Sequence, residues 1–143
     1  MNFTCLSVNY TKTSVNNVLS LVENYLELEN GTVTRPGRAD SVAVIGEINP
    51  AQPIPAIQSL YHTPPGSNET VNSHTVILAS DEESWALAYS CGERDGLLLE
   101  RISVWSRERS LNPVILKVLD TVAYGIGFPY SHFENIHQTN CVL

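Results

Sequence analysis

The sequence predicts an all-β protein, a barrel or sandwich of short antiparallel strands, with one helix near the C-terminus. Apolar runs such as Val76–Ala79 and Trp85–Tyr89 are too short for helices and are separated by polar turn residues. Five prolines between Pro50 and Pro65 fall in the connections, because proline cannot occupy a central strand. A single later segment has helical spacing instead, so the sheet must form most of the core.

The strands follow one another at roughly even spacing, which is typical of an up-and-down meander. Alternation with period two marks the first of them, and Val18–Leu28 is strand-like with a break near Glu23 and Asn24. The polar run Ser80–Ser84 predicts a hairpin loop, and Gly92–Gly96 predicts another turn. The predicted strands are Cys5–Tyr10, Val18–Leu28, Val42–Ile48, Ala56–His62, Val76–Ala79, Trp85–Tyr89, Leu97–Ser106 and Ser131–Cys141.

The helix is predicted over about residues 113–124. Asn112 is a suitable N-cap, and Pro113 fits the first turn because its missing amide hydrogen costs nothing there. Ile115, Leu119 and Val122 give one apolar stripe, and glycines follow at the predicted end. We expect this stripe to pack against the sheet.

Composition limits the classes of function. The 143 residues are 43% hydrophobic, which suits one domain spanning 1–143 with one core. A formal net charge of −7 argues against binding to nucleic acid or to an anionic membrane and favours a cationic or neutral small partner. The sequence contains no apolar run long enough for a membrane span and no secretory signal at its start.

Four glycosylation sequons indicate a secreted protein nevertheless, because so many in a short chain exceed chance expectation. The acceptor asparagines are Asn2, Asn9, Asn30 and Asn68. Since a secreted protein needs a signal that this sequence does not contain, we expect its true N-terminal end to be missing.

The motifs together resemble the lipocalins, in the branch that contains apolipoprotein D, the insect bilin-binding proteins and the retinol-binding proteins. The resemblance is carried by Tyr89–Cys91 after a Ser-Asp turn, by Trp105–Arg107 leading into the helix, and by Gln138–Cys141. It implies an eight-stranded up-and-down barrel with the helix packed on its exterior. The sequence begins at the equivalent of the second strand, so the first strand, with its Gly-x-Trp motif, is expected to be missing.

Three cysteines cannot all pair within one chain. The lipocalin resemblance implies a disulfide between Cys5 and Cys141, which leaves Cys91 free or bonded to another molecule. The alternative for Cys91 is a nucleophile, as in the rare enzymatic lipocalins. By resemblance Arg107 and the turn residue Asp81 have structural roles; Arg107 would lie over the first-strand tryptophan, or otherwise be a simple surface arginine.

The predicted ligand-binding residues face the inside of the barrel. A glycosylated Asn9 must face solvent, so its neighbours along the strand at alternate positions face inward, and the lipocalin resemblance supplies the inward positions of the later strands. On size alone Trp85, Leu87 and Tyr89 would be inside, unless the helix covers the outer face. Plain core packing is the alternative for every lining residue. The predicted binding set is Leu6, Val8, Tyr10, Thr75, Ile77, Ala79, Ala86, Ala88, Ser103 and Trp105, with Ser90 and Arg101 also facing inward.

The function predicted from these observations is extracellular binding and transport of a small hydrophobic molecule, of the retinoid, fatty acid, sterol, carotenoid or tetrapyrrole class. We expect no cofactor, no metal site because the histidines are scattered, and no enzymatic activity. Two alternatives remain. A lipocalin-fold interaction or defence protein would act through its loops, such as Asn49–Pro55, and an enzymatic lipocalin would require a reactive residue such as Cys91.

Overall fold

A computed structural model describes residues 3–46, 57–63, 68–128 and 136–141 of the chain. These residues form one antiparallel sheet whose seven strands lie side by side in chain order, followed by a single helix, as the sequence predicts. The sheet curls into a half-barrel. The elements are β1 Phe3–Lys12, β2 Val18–Glu29, β3 Thr32–Ile45, β4 Ile57–His62, β5 Val71–Ser80, β6 Trp85–Arg94, β7 Leu97–Ser106 and α1 Pro113–Gly125.

Strands β1 and β7 are the two edges of this sheet. Because seven strands alternate in direction, β1 and β7 run parallel to each other, and no backbone pairing joins them in the described part of the chain. The inner face is therefore open between the two edges. This opening leaves Val8 and Tyr10 on β1 each 38% exposed.

Two hairpins have two-residue turns in which both residues adopt left-handed backbone angles. Asn30 and Gly31 join β2 to β3 with φ of 52° and 78°, and Asp95 and Gly96 join β6 to β7 with φ of 55° and 74°. Such turns match the twist of the paired strands. The predicted turn Gly92–Gly96 is therefore too wide, because its first three residues continue β6.

The predicted break in β2 is wrong. Glu23 and Asn24 pair in register with Ala39 and Arg38 of β3, and the irregularity lies between Glu27 and Leu28 instead. The polar side chains of Glu23 and Asn24 suggested a break, but the backbone pairing with both neighbouring strands continues through these residues.

Strand β3 begins well before the predicted start at Val42. It runs from Thr32 and includes Pro36, which lies opposite Leu26 of β2. The basic, proline- and glycine-containing sequence of its first half concealed this strand. The predicted end of this strand, Ile48, lies outside the described residues, as do Ala56 and the loop Asn49–Pro55.

The predicted last strand, Ser131–Cys141, is also wrong where the structure describes it. Residues 136–141 are not a strand, although the amide of Cys5 donates a hydrogen bond to the carbonyl of His137 at 2.9 Å. The disulfide and side-chain bonds hold this segment to β1 in place of a ladder. Residues 131–135 lie outside the described part.

Helix α1 begins as predicted, with the Asn112 side chain accepting a hydrogen bond from the amide of Val114 at 2.8 Å. Leu119 of the helix is fully buried, as is Leu87 of β6. The rings of Tyr89 and Phe128, just beyond the helix, lie 5.7 Å apart. The ring contact places Tyr89, which is on the outer face of the sheet, beside a residue that follows the C-terminal end of the helix. In the described ranges, no helix is both long and apolar enough to cross a membrane.

Candidate functional site

The strand register assigns the inner face of the sheet, because directly opposed residues of an antiparallel pair lie on the same face. The inner row Ile77, Ala88 and Ser103 runs across β5, β6 and β7, and Ala86 lies opposite Trp105. Trp105 in turn contacts Tyr10 of β1. The structure thus brings these predicted inward residues onto one surface.

Ala79 does not share that surface, which corrects its predicted orientation. A β-bulge between Ile77 and Ala79 adds one residue to β5, so Ala79 lies opposite Leu87 on the outer face. One extra residue reverses the facing of everything beyond it. Periodicity alone cannot show such an insertion.

Towards the end of β1, a polar and aromatic group lies on the inner face, which we call the Tyr10 cluster: Tyr10, Gln58 and Trp105. The Gln58 amide donates a hydrogen bond to the Tyr10 hydroxyl at 3.3 Å. Burial raises the pKa of Tyr10, while the bond from Gln58 lowers it; the charges of Glu23 and Arg101 act in opposite directions. The net result is that the pKa of Tyr10 is raised from its ordinary value.

Beside the cluster, Thr75 and Ser90 share a hydroxyl hydrogen bond of 2.7 Å. Thr75 and Ala88 are completely buried. Thr75 and Ala88 are therefore packed core positions, which agrees with the alternative to a ligand-lining role.

A cavity of about 740 Å³ lies on the inner face between the start of β1 and strands β2, β3 and β7. Its size is in the range of small-molecule binding sites. The rings of Phe3 and Tyr25 on its wall lie 5.9 Å apart. The lining consists of Phe3, Leu6, Glu23, Tyr25, Glu27, Leu28, Glu29, Thr34, Arg35, Ala39 and Arg101.

The charged residues of the lining differ in whether they are paired. Arg35 donates to Glu27 at 2.5 Å; the Arg35 side chain is 73% exposed and that of Glu27 is 31% exposed. Glu23 and Arg101 make no ion pair or hydrogen bond with any residue that the structure describes. Within the described part of the chain, the cavity wall therefore presents the unpaired carboxylate of Glu23 and the unpaired guanidinium of Arg101, together with the exposed and likewise unpaired carboxylate of Glu29 at the end of β2.

Of the ten predicted ligand-binding residues, Leu6 alone belongs to the lining of this cavity. Contact between a ligand and the others stays a prediction. Sequence reasoning missed the wall formed by β2 and β3, including Glu23 and Tyr25. The dipeptide Asn30-Gly31 was the available signal, because it is a strong hairpin marker and fixes the pairing of those two strands.

The predicted disulfide between Cys5 and Cys141 is confirmed, with their Cα atoms 5.5 Å apart. The Gln138 amide group also donates to the carbonyl of Leu6 at 2.9 Å. Together these bonds attach the C-terminal segment to the edge strand β1.

Cys91 is a free thiol, half-buried on β6. It lies opposite His74 and Glu100 in the register, whereas its neighbour Ser90 belongs to the inner face. The thiol therefore lies on the side of the sheet away from the cavity. No group of three or more metal-ligating side chains occurs among the residues described.

Asp81 and Arg107 both stabilise the turn between β5 and β6. The Asp81 carboxylate accepts bonds from the amides of Glu83, Ser84 and Trp85 at 3.1, 2.8 and 3.0 Å, and from the Ser84 hydroxyl. Arg107 donates from its side chain to the carbonyl of Glu83 at 2.5 Å. Arg107 thus has a backbone partner in this turn, which neither sequence-based alternative anticipated.

The sequons at Asn9, Asn30 and Asn68 are exposed, and Asn2 lies outside the described residues. Glycosylation itself stays a prediction.

Comparison with solved structures identifies the architecture. The siderocalin Ex-FABP, a protein described as functioning through dual ligand specificities, matches with a TM-score of 0.55 at 11% sequence identity. The match covers 90% of this chain and 74% of that one. No protein-family model and no curated protein matches the sequence. The structural likeness shows a lipocalin-like fold.

Proposed function

We propose that this protein binds a small hydrophobic molecule in the cavity on its inner face and carries it outside the cell. The observation that carries the proposal is the cavity of about 740 Å³, whose wall includes Phe3, Leu6, Tyr25 and Leu28. Removing apolar ligand surface from water against such side chains is favourable, at about 25 cal/mol per Å². The few polar groups in the same wall would set the orientation of the ligand.

The extracellular part of the proposal is supported by the disulfide and by the sequons. A disulfide such as Cys5–Cys141 persists in oxidising compartments and is rare in the cytosol. The asparagines Asn9, Asn30 and Asn68 are all exposed, as glycosylation requires. The motif resemblance to the apolipoprotein D branch of the lipocalins, whose members carry small apolar molecules, supports the same conclusion.

Binding is favoured over catalysis by the position of Cys91. The thiol lies on the outer face, across the sheet from the cavity, so it cannot attack a molecule held there.

The two tryptophans allow a direct test. Trp105 lies on the inner face in contact with Tyr10. Trp85 precedes the inward-facing Ala86 on β6, so it lies on the outer face, as Leu87 does. An apolar probe that binds inside should quench the fluorescence of the Trp85→Phe variant saturably and leave the matched Trp105→Phe variant nearly unquenched. Equal quenching of both variants, or none, together with no small molecule recovered from the purified protein by mass spectrometry, would contradict the proposal.

A further inference from the structure

Two charges of opposite sign in the cavity wall, those of Glu23 and Arg101, have no partner among the residues that the structure describes. A third, Glu29, is exposed at the end of β2. Glu23 of β2 lies between Val8 of β1 and Ala39 of β3 in the register, and Arg101 of β7 lies opposite Ser90. Both side chains line the cavity.

Neither charge is neutralised by the protein within the described ranges. Glu27 and Arg35 satisfy each other, and Glu29 is exposed at the very end of β2, which leaves Glu23 and Arg101 as the unpaired cavity charges within the strands. A ligand that covered these two groups with apolar surface would desolvate them without replacing their interactions with water, which is costly. A ligand with a single charge would compensate one of them and leave the other buried.

Aromatic rings lie beside the carboxylate. Tyr25 is two residues from Glu23 on the same strand and face, and its ring contacts that of Phe3. A carboxylate next to aromatic faces suits an ammonium group, which gains both charge pairing and cation–π attraction. The planar guanidinium of Arg101 suits a carboxylate or a phosphate.

We propose that the cavity takes an amphiphile whose head group is zwitterionic, with its cationic part at Glu23 and its anionic part at Arg101. This inference rests on the proposed function, since it assigns the head group of the molecule held in the same cavity. The apolar chain of the ligand would lie along the inner face towards the Tyr10 cluster.

The test compares four probes that share a dodecyl chain and differ only in the head group: dodecyl betaine, dodecyltrimethylammonium, dodecanoate and dodecanol. Each is titrated below its micelle concentration or solubility limit, with the change in tryptophan emission on binding as the signal. We expect the betaine to bind about tenfold more tightly than dodecanol, which corresponds to about 1.4 kcal/mol.

Charge variants then locate the recognition. Glu23→Gln should make dodecanoate the best of the charged probes, and Arg101→Gln should make dodecyltrimethylammonium the best. Glu93→Gln is the matched control, because it removes the same charge from an exposed position on the outer face and should preserve the wild-type order.

The outcomes separate the two proposals. If dodecanol binds as tightly as the betaine, the zwitterion inference is overturned while the proposed function stands; if no probe binds, the proposed function itself fails. If a variant does not fold, the salt dependence of probe binding to the wild type still tests the inference. Added salt must lower the affinity ratio of betaine to dodecanol, and a ratio unaffected by salt would overturn the inference.

Discussion

The rings of Tyr10 and Trp105 meet across the opening between β1 and β7, with their centroids 6.2 Å apart and their planes at 43°. The two strands are the edges of the sheet and run in the same direction, so their side chains make the connection that their backbones do not. The geometry is that of a tilted aromatic pair. The Tyr10 hydroxyl also accepts a hydrogen bond from Gln58, and this bond links strand β4 to the ring contact.

Substitutions at Tyr10 should separate the two interactions. Tyr10→Phe removes the bond from Gln58 and should cost about 1 kcal/mol of unfolding free energy. Tyr10→Ala also removes the ring contact and should cost at least about 1 kcal/mol more. Urea unfolding measures both values. In a Trp85→Phe background, the emission of Trp105 should shift to the red in the Tyr10→Ala variant but not in the Tyr10→Phe variant. An unchanged spectrum in Tyr10→Ala would show that the ring contact does not exist in solution.

Removal of the disulfide should give the largest loss of stability. Cys5 and Cys141 are 136 residues apart, and the loop-entropy relation gives a stabilisation of about 5 kcal/mol for a loop of that size. The double variant Cys5→Ser/Cys141→Ser should therefore unfold at much lower urea concentration. Cys91→Ser is the control, because it removes a thiol that is not part of a disulfide; an equal loss in the control would mean that the cysteines pair differently.

The Asp81 turn should make the stability of the protein sensitive to acid. The hydrogen bond from the Ser84 hydroxyl, then those from backbone amides, hold the pKa of Asp81 far below its ordinary value of 3.8. Because the folded state favours the ionised form, the turn is fully stabilised above the ordinary pKa and loses this contribution as pH falls towards the lower, folded value.

Asp81→Asn tests this dependence, since an amide keeps an acceptor oxygen but not the charge. The difference in melting temperature between wild type and variant should be constant above about pH 5 and shrink below about pH 4. A difference that is independent of pH would exclude the charge of Asp81 as the cause.

The phenol of Tyr89 should lose its proton at a higher pH than an ordinary tyrosine. Its hydroxyl donates to the Glu100 carboxylate at 2.5 Å, and this bond is the main reason that its pKa is raised from 10.0 to about 12. The bond requires the protonated phenol, so its stabilisation is present below pH 10 and is lost between pH 10 and about 12.

The absorbance difference between wild type and Tyr89→Phe isolates this one of the six tyrosines. The midpoint should fall towards 10 in Glu100→Gln and stay high in the control Glu93→Gln. A midpoint near 10 in the wild type would contradict the bond.

The sequence carried enough information for the elements whose signals are local. Asn112 and Pro113 specify a helix start by themselves, and the hairpin between β5 and β6 is marked by its run of polar residues. The inward face of β1 followed from alternation around Asn9, whereas the faces of the later strands came from the lipocalin resemblance and agree with the register on β5 as far as Ile77. Beyond it, the extra residue in the bulge reversed Ala79, because the insertion depends on pairing between strands.

The cavity was less predictable, because its wall departs from the usual pattern of apolar residues inside. Glu23 and Glu27 point inward on β2, and Pro36 lies within β3, so local signals indicated a break and a loop. Such departures from local rules are expected at functional sites. The pairing of β2 with β3 overrides these signals, and the turn at Asn30 and Gly31 is the local feature of the sequence that indicates it.

Gly37 of β3 should be essential to the shape of the cavity. It lies opposite Tyr25, whose ring covers it so closely that a Cβ atom at position 37 would overlap ring carbons. Gly37→Ala must therefore displace the Tyr25 ring, which lines the cavity against Phe3. Overpacking of this kind typically costs about 1–3 kcal/mol, and here part of the relief comes from moving the ring into the cavity.

We expect Gly37→Ala to weaken probe binding more than it lowers the melting temperature, and the double variant Gly37→Ala/Tyr25→Leu to recover stability. The control Gly31→Ala has open space around the added carbon and a strained φ of 78°, so it should lower stability without affecting the affinity of the folded protein for the probe. Equal affinities in Gly37→Ala and the wild type would show that Tyr25 does not shape the binding site.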